Sequence, residues 1–402
     1  MSPWRLITRR LSTRSISPAT RTVVRLGVAG IALAVFGVWV SVSIGRGYQQ
    51  AIRNKVFGFS GQVQILPVQM QYSYAGEPFD GRAAADSIRR AFPQVRIEGY
   101  AYQPVMLHHG QLTEGAVLKG VSDFSGWARQ PHRTLIAADT GPSSLPPLLL
   151  SKTLARRLNA RAGDSLLVFW TDPRLRVRRF RVAGIYRAAL EEIEEVFALT
   201  PIEVLRPLKG WDDGAVHGLS LFPPPDIPPD TLTRHLENRL PYYLHAFPTE
   251  ALYPQLFEWL RLLDTNIRIL LALMTVVAVV TIVVIFFVLV IEHGFLIAMW
   301  KIMGAPASFL RRVFLVLTGR VLAGGLFLGS AAALMVLTLQ HYTHLVRLPE
   351  EIYYLPHLPV AFVWLEWAAY LGLTAGMALL GLWLASVYFR WVRPRTVVRA
   401  ER

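Results

Sequence analysis

Cysteine is absent from the 402 residues. No disulfide framework exists, so any folded part must be held by packing alone. Acidic residues are scarce, with 27 Asp and Glu against 42 Lys and Arg, for a net charge of +15. Catalytic signatures are missing too. There is no HExxH, no Cys/His metal spacing, no GxSxG and no Walker motif. Gly58-Phe59-Ser60-Gly61 spells the GxSG string of intramembrane serine proteases, but it lies beyond the first apolar run and reads as a turn. GQLTEGAV from Gly110 lacks the Gly-Lys-Ser/Thr ending of a phosphate loop and reads as a hairpin turn. The close histidine pairs, His108-His109 and His341-His344, have no carboxylate at ligand spacing. No catalytic residue, metal site or resident cofactor is assigned, and catalysis by this chain alone is not supported.

Long apolar runs are what the chain has in abundance. Ile269 to Ile291 contains 23 residues without a charge, against the ~20 a helix needs to cross hydrocarbon. Its Val, Ile, Leu and Phe content favours insertion by something on the order of 5 to 10 kcal/mol. Further runs occur at Leu26 to Ile44, Val313 to Gln340 and Trp367 to Phe389. The first is read as a retained span, because its only cleavage-like pattern, Ala32-Leu33-Ala34, sits in the middle of the run. The excess of positive charge lies in three short flanks. Residues 1 to 25 carry six Arg and no acid, residues 292 to 312 carry Lys301, Arg311 and Arg312, and residues 390 to 402 carry five Arg. By the positive-inside rule these flanks are cytoplasmic, so the basicity reports topology and nucleic-acid binding is not expected.

The chain therefore reads as an α-helical membrane protein with four transmembrane helices plus a large α+β extracytoplasmic domain on helical stalks. The expected divisions are an amphipathic cytoplasmic segment at 1–22, a first span at 23–45, the outer domain with a stalk at each end at 46–266, and a second span at 267–291. A cytoplasmic elbow at 292–312, a third span at 313–340, a short outer loop at 341–362, a fourth span at 363–389 and a basic cytoplasmic tail at 390–402 complete it. Within the outer domain, strands are expected at Gln62 to Pro67, Pro104 to His109, Ala116 to Val121, Ser165 to Trp170 and Val177 to Tyr186. Helices are expected after Asp80-Gly81, over Leu148 to Leu158 with Ser151 as cap, and near Thr231 to Leu240. Glu191 to Glu195 reads as a solvated acidic face. Leu252, Leu256, Leu260 and Leu263 at helical spacing mark the second stalk. Arg320 is a charge inside the third span, either functional or snorkelling to the inner face. Gly325/Gly329 and Gly372/Gly376 are small-xxx-small pairs that permit close helix packing.

In order along the chain, several segments resemble one family. Leu6-Ile7-Thr8-Arg9-Arg10-Leu11 is similar to its N-terminal "fIarRyL". LLLSKTLARRLNARAGDSLLV from Leu148 follows, then AMWKIMG from Ala298 where the family has "AiLkalG" after an acidic residue matching Glu292. YYLPHLPV from Tyr353 and a tail with Pro394 and Val398-Arg399-Ala400 complete the set. The chain resembles the FtsX-like permeases of ABC systems, and within them the lipoprotein-releasing LolC/LolE permeases. The resemblance implies that the elbow is a coupling helix docking into a separate cytoplasmic ATPase, which would hold ATP and Mg, through Glu292, Phe295, Met299, Trp300, Lys301 and Gly304. It also implies a second permease chain, a lipoprotein or other lipidic cargo, an inner-membrane location with both termini cytoplasmic, and a hairpin contact for a periplasmic lipoprotein carrier at Asp172, Pro173, Arg174 and Arg176. A MacB-like exporter of drugs, toxins or peptides is the alternative. From another class, so is a transmembrane receptor or regulator signalling through stalk motion.

Overall fold

The computed structural model describes residues 18–71, 74, 76–127, 134–139, 141, 143–171, 175–187, 191–349 and 355–387. Residues 1–17 of the expected amphipathic start and the whole basic tail lie outside them, and residues 18–22 belong to the first helix. The chain divides into two compact units.

The membrane unit is built on four helices long and apolar enough to cross a bilayer. The first, α1 (Pro18–Ser60), contributes to both units. Its membrane part packs through Val35, Val38, Trp39 and Val42 against Leu271, Ala333, Leu337 and Trp367 of the other three. Trp39 and Trp367 stack with ring centroids 4.5 Å apart. Gly325 and Gly329 face Ile31, Ala32 and Val35 of α1 at a distance that leaves no room for a Cβ. Gly372 and Gly376 face open space. Just past the apolar part, Arg46 pairs with Asp264 at 3.0 Å and Glu366 at 3.1 Å, joining three of the helices.

In the globular unit a ten-stranded sheet dominates. Its elements in order are β1 (Val63–Pro67), α2 (Gly81–Ala91), β2 (Arg96–His109), β3 (Leu112–Val121), β4 (Thr134–Ala138) and β5 (Pro147–Ser151). Then come α3 (Lys152–Arg157), β6 (Ser165–Thr171), β7 (Leu175–Arg187), α4 (Glu191–Val196), β8 (Phe197–Pro201) and α5 (Ile202–Lys209). The last are β9 (Gly218–Phe222), α6 (Pro229–Glu237) and β10 (Leu244–Pro248). Hydrogen-bonded neighbours run β2, β3, β8, β5, β7, β6 and back to β2, so six strands close a ring. Closure gives each of these six strands a partner on both sides. Strand alternation fills the interior with Leu107, Leu118, Leu150, Leu166, Val168 and Phe180, all fully buried. β9, β1 and β10 extend the sheet from the first half of β2.

Local chemistry explains most of these elements. Asp80 accepts from the Arg82 and Ala83 amides and so caps α2, whose Ala84 and Ile88 face the core. The β2–β3 hairpin turns at Gly110, at φ +64, a conformation glycine adopts without steric cost. Two expectations are corrected. Leu148 to Leu150 form strand β5 rather than the start of a helix, because β7 and β8 flank them and bury all three. Ser151 does cap, its Oγ accepting from the Leu154 amide at 3.0 Å, but the helix behind it is only Lys152–Arg157. Nor is the expected acidic face solvated at Glu194. Glu194 is buried and accepts from Thr153 Oγ1 at 3.1 Å, and Glu195 pairs with Arg157.

Both histidines of the 108–109 pair serve the fold. His108 bonds Thr113 Oγ1 at 2.8 Å and His109 the Leu158 carbonyl at 3.0 Å. His217 is fully buried, accepting the Tyr102 amide on Nδ1 at 2.9 Å and donating from Nε2 to the Gly76 carbonyl at 3.1 Å. That pair of bonds requires a neutral ring. Burial, and then the charge of Lys209, lowers its pKa to about 3. The unfolded chain takes up the proton first, so the contribution is complete above about pH 6.5 and is lost as pH falls toward 3. Thermal melts of the full chain in detergent should therefore show about 2 kcal/mol less stability at pH 5 than at pH 7 from this group. His217→Asn should be less stable at pH 7 but lack that increment.

Candidate functional site

The second spanning helix, α7 (Pro254–Glu292), ends where hydropathy does, at Glu292. A single residue, His293, separates it from α8 (Gly294–Ile302). His293 is buried, donates from Nδ1 to the Leu289 carbonyl at 2.9 Å and lies edge-on to Phe314, so the bend is packed rather than loose. At the far end Gly304 adopts φ +85 and the Ala305 amide reaches back to the Trp300 carbonyl at 2.9 Å, terminating α8 as a left-handed glycine does. Pro306 then opens α9 (Ala307–Thr343). The last span is α10 (Trp364–Ser386).

The two faces of α8 differ in use. Ile297 and Ala298 are buried, Ile297 within a cluster with Leu289, Leu310 and Phe314. Trp300 is half-buried and meets Phe309 edge-to-face at 5.8 Å. On the opposite side Phe295 is 70% exposed, Met299 39%, Ile302 79% and Met303 67%. These positions follow i, i+4, i+7 and i+8, so they form one stripe of large apolar side chains that the described residues leave exposed. Phe295 and Met299 were expected from the sequence. Ile302 and Met303 were not, although the same spacing could have pointed to them. Lys301 and Glu292 are half-buried, and Gly304 is exposed with open space around it.

The other sequence candidates lie elsewhere. Arg320 is exposed on α9, on the face it shares with Arg312 and Val316. Of the hairpin, Asp172, Pro173 and Arg174 fall outside the described residues. Arg176 is exposed on β7 and donates to the Leu208 carbonyl at 2.6 Å. Among the described residues no group of three or more metal-ligating side chains gathers. Two features left no local signal in sequence: the pairing of Arg46 with two carboxylates and a buried lysine on β3, Lys119.

Residues 26–216 match the family described as the MacB-like periplasmic core domain. Over 403 positions the chain is 23% identical to the lipoprotein-releasing system transmembrane protein LolC of Xylella fastidiosa strain 9a5c, covering 93% of each chain. LolC of strain Temecula1 matches at 23% over 404 positions, again with 93% of each covered. Among solved structures, the periplasmic region of MacB from Actinobacillus actinomycetemcomitans aligns with 51% of this chain and 97% of its own, at 11% identity and a TM-score of 0.37. A MacB-like core domain and similarity to LolC along 93% of the chain together support an FtsX/MacB-like ABC transporter permease of the LolC type.

Proposed function

We propose that this chain is the mechanotransmitting permease subunit of an inner-membrane ABC system that releases lipoproteins for transfer to the outer membrane. The observation that carries the reading is the exposed apolar stripe of α8, in a chain similar to LolC along 93% of its length. A row of large apolar side chains between two spanning helices is suited to a groove on a partner. That partner is a cytoplasmic ABC ATPase, which binds and hydrolyses the ATP with Mg; this chain contributes motion and no catalytic group. In this reading both termini and α8 are cytoplasmic and the globular unit is periplasmic. A second permease chain completes the membrane part, and the β6–β7 hairpin with Arg176 is a contact for a lipoprotein carrier. Export of drugs, toxins or peptides is the second reading, favoured by the match of residues 26–216 to a MacB-like domain.

The test is purification of the complex with its ATPase, followed by release of a triacylated lipoprotein from spheroplasts. ATP-dependent release into the medium is the expected result. Coupled ATP hydrolysis with no release, stimulated instead by a small amphiphile or peptide, would turn the assignment to the exporter.

A further inference from the structure

Within the globular unit, the end of α1 is held in an unusual way. The last carbonyls of a helix need donors and carry the negative end of its dipole. The last turn of α1 has no basic residue of its own. The donor comes from 60 residues away: the Lys119 ammonium bonds the Phe59 carbonyl at 3.1 Å. Lys119 is 3% exposed. It lies on β3, opposite Tyr102 of β2 on one side and Leu199 of β8 on the other, so it stands on a central strand of the ring. Its amine sits 4.1 Å from the Phe59 ring centroid and 5.3 Å from that of Tyr100, both within cation–π range.

Removing an ammonium from water is costly, and an apolar side chain of the same length would fill this space with no such penalty. Stability alone is a poor reason for a lysine here. Direction is a better one. The ring contact of Phe59 with Phe197 can slide, whereas a charged hydrogen bond onto a helix carbonyl fixes where the helix end stands on the strand. The root of the second stalk is tied to this same end. Thr249 Oγ1 donates to the Gly61 carbonyl at 2.8 Å, Arg53 pairs with Glu250 at 2.6 Å, and Phe57 stacks on Phe257.

We propose that Lys119 is a positioning residue, a latch between the stalk end and the ring that makes the ring follow a displacement of α1. The proposal rests on the reading of the chain as a mechanotransmitter. A chain without cysteine allows two-point spin labelling directly, at Asn54→Cys on α1 and Gln111→Cys at the β2–β3 turn. In the full complex in nanodiscs, nucleotide-free and vanadate-trapped, the wild type and K119R should each give one narrow distance distribution. K119M should give a broad one. K119M should also raise the ATP hydrolysed per lipoprotein released about tenfold, with its melting temperature unchanged or higher.

K119M with the wild-type distribution overturns the latch. So does a K119M defect that tracks a fall in melting temperature and that K119R does not repair, since that is simple loss of packing. A wild-type complex that hydrolyses ATP and releases no lipoprotein sinks the release reading instead, and the distance distributions still decide the latch.

Discussion

Phe295→Asp combined with Met299→Asp should abolish association with the ATPase while the permease still accumulates and melts as the wild type does. The two halves of that result come from different facts. Phe295 and Met299 are 70% and 39% exposed, so charging them removes little from the packing of this chain. In a complex they would be buried with Ile302 and Met303. Covering a side chain of this size is worth roughly 1.5 to 3 kcal/mol. Losing two, and forcing two carboxylates out of water, amounts to at least about a hundredfold in affinity. Trp300→Asp should behave differently. Its ring packs on Phe309, so the charge should lower accumulation and melting temperature together with binding. ATPase recovered per permease, measured beside a thermal melt, separates the cases. If the double variant keeps wild-type stoichiometry, the stripe of α8 is not the docking surface.

Much of this was legible in the sequence because it depends on local rules. Four spans follow from hydropathy, the helix after Asp80-Gly81 from the turn residues that precede it, and the hairpin at Gly110 from alternation on either side of a glycine. Ring closure is not local. It requires Met106 to pair with Phe169 and Val117 with Phe197, and nothing within either strand marks its partner. The same limit explains Leu148 to Leu150. A short apolar run beside a helix-capping serine fits the first turn of a helix as well as a strand buried on both faces, and only the flanking β7 and β8 decide. On α8, periodicity defines two faces but not which of them is covered. Phe309 and Phe314 of α9 decide that, turning Trp300 inward and leaving Ile302 and Met303 outside. Glu194 and Lys119 are the remaining kind: one charge stands in an acidic cluster and the other in an apolar strand, and the partner of each, Thr153 and the end of α1, is distant in sequence.

Gly329→Leu should be among the most damaging single changes in the membrane unit, and Gly372→Leu among the mildest, although both glycines belong to the same small-xxx-small pattern. At Gly329 a Cβ would lie 2.9 Å from the Val35 Cβ and 3.0 Å from the Ala32 Cα. One of those atoms is backbone, so no rotamer change relieves the clash and α9 must move away from α1. Gly325, one turn earlier, faces Ile31 as closely, so the displacement runs along the whole contact. Lipid tails are as apolar as the side chains they would replace, so close packing of this sort is the main attraction between spans and nothing offsets its loss. Overpacking costs about 1 to 3 kcal/mol where a core can adjust, and a contact between two backbones belongs at or above the top of that range. Gly329→Leu should therefore reduce the amount of intact chain in the membrane several-fold and lower its melting temperature in detergent. Around Gly372 no atom lies within 4 Å of the added Cβ, so the leucine enters open space and the fold of the chain should be unchanged. Equal melting temperatures for the two variants would mean that α1 and α9 do not meet at Gly329 in the membrane.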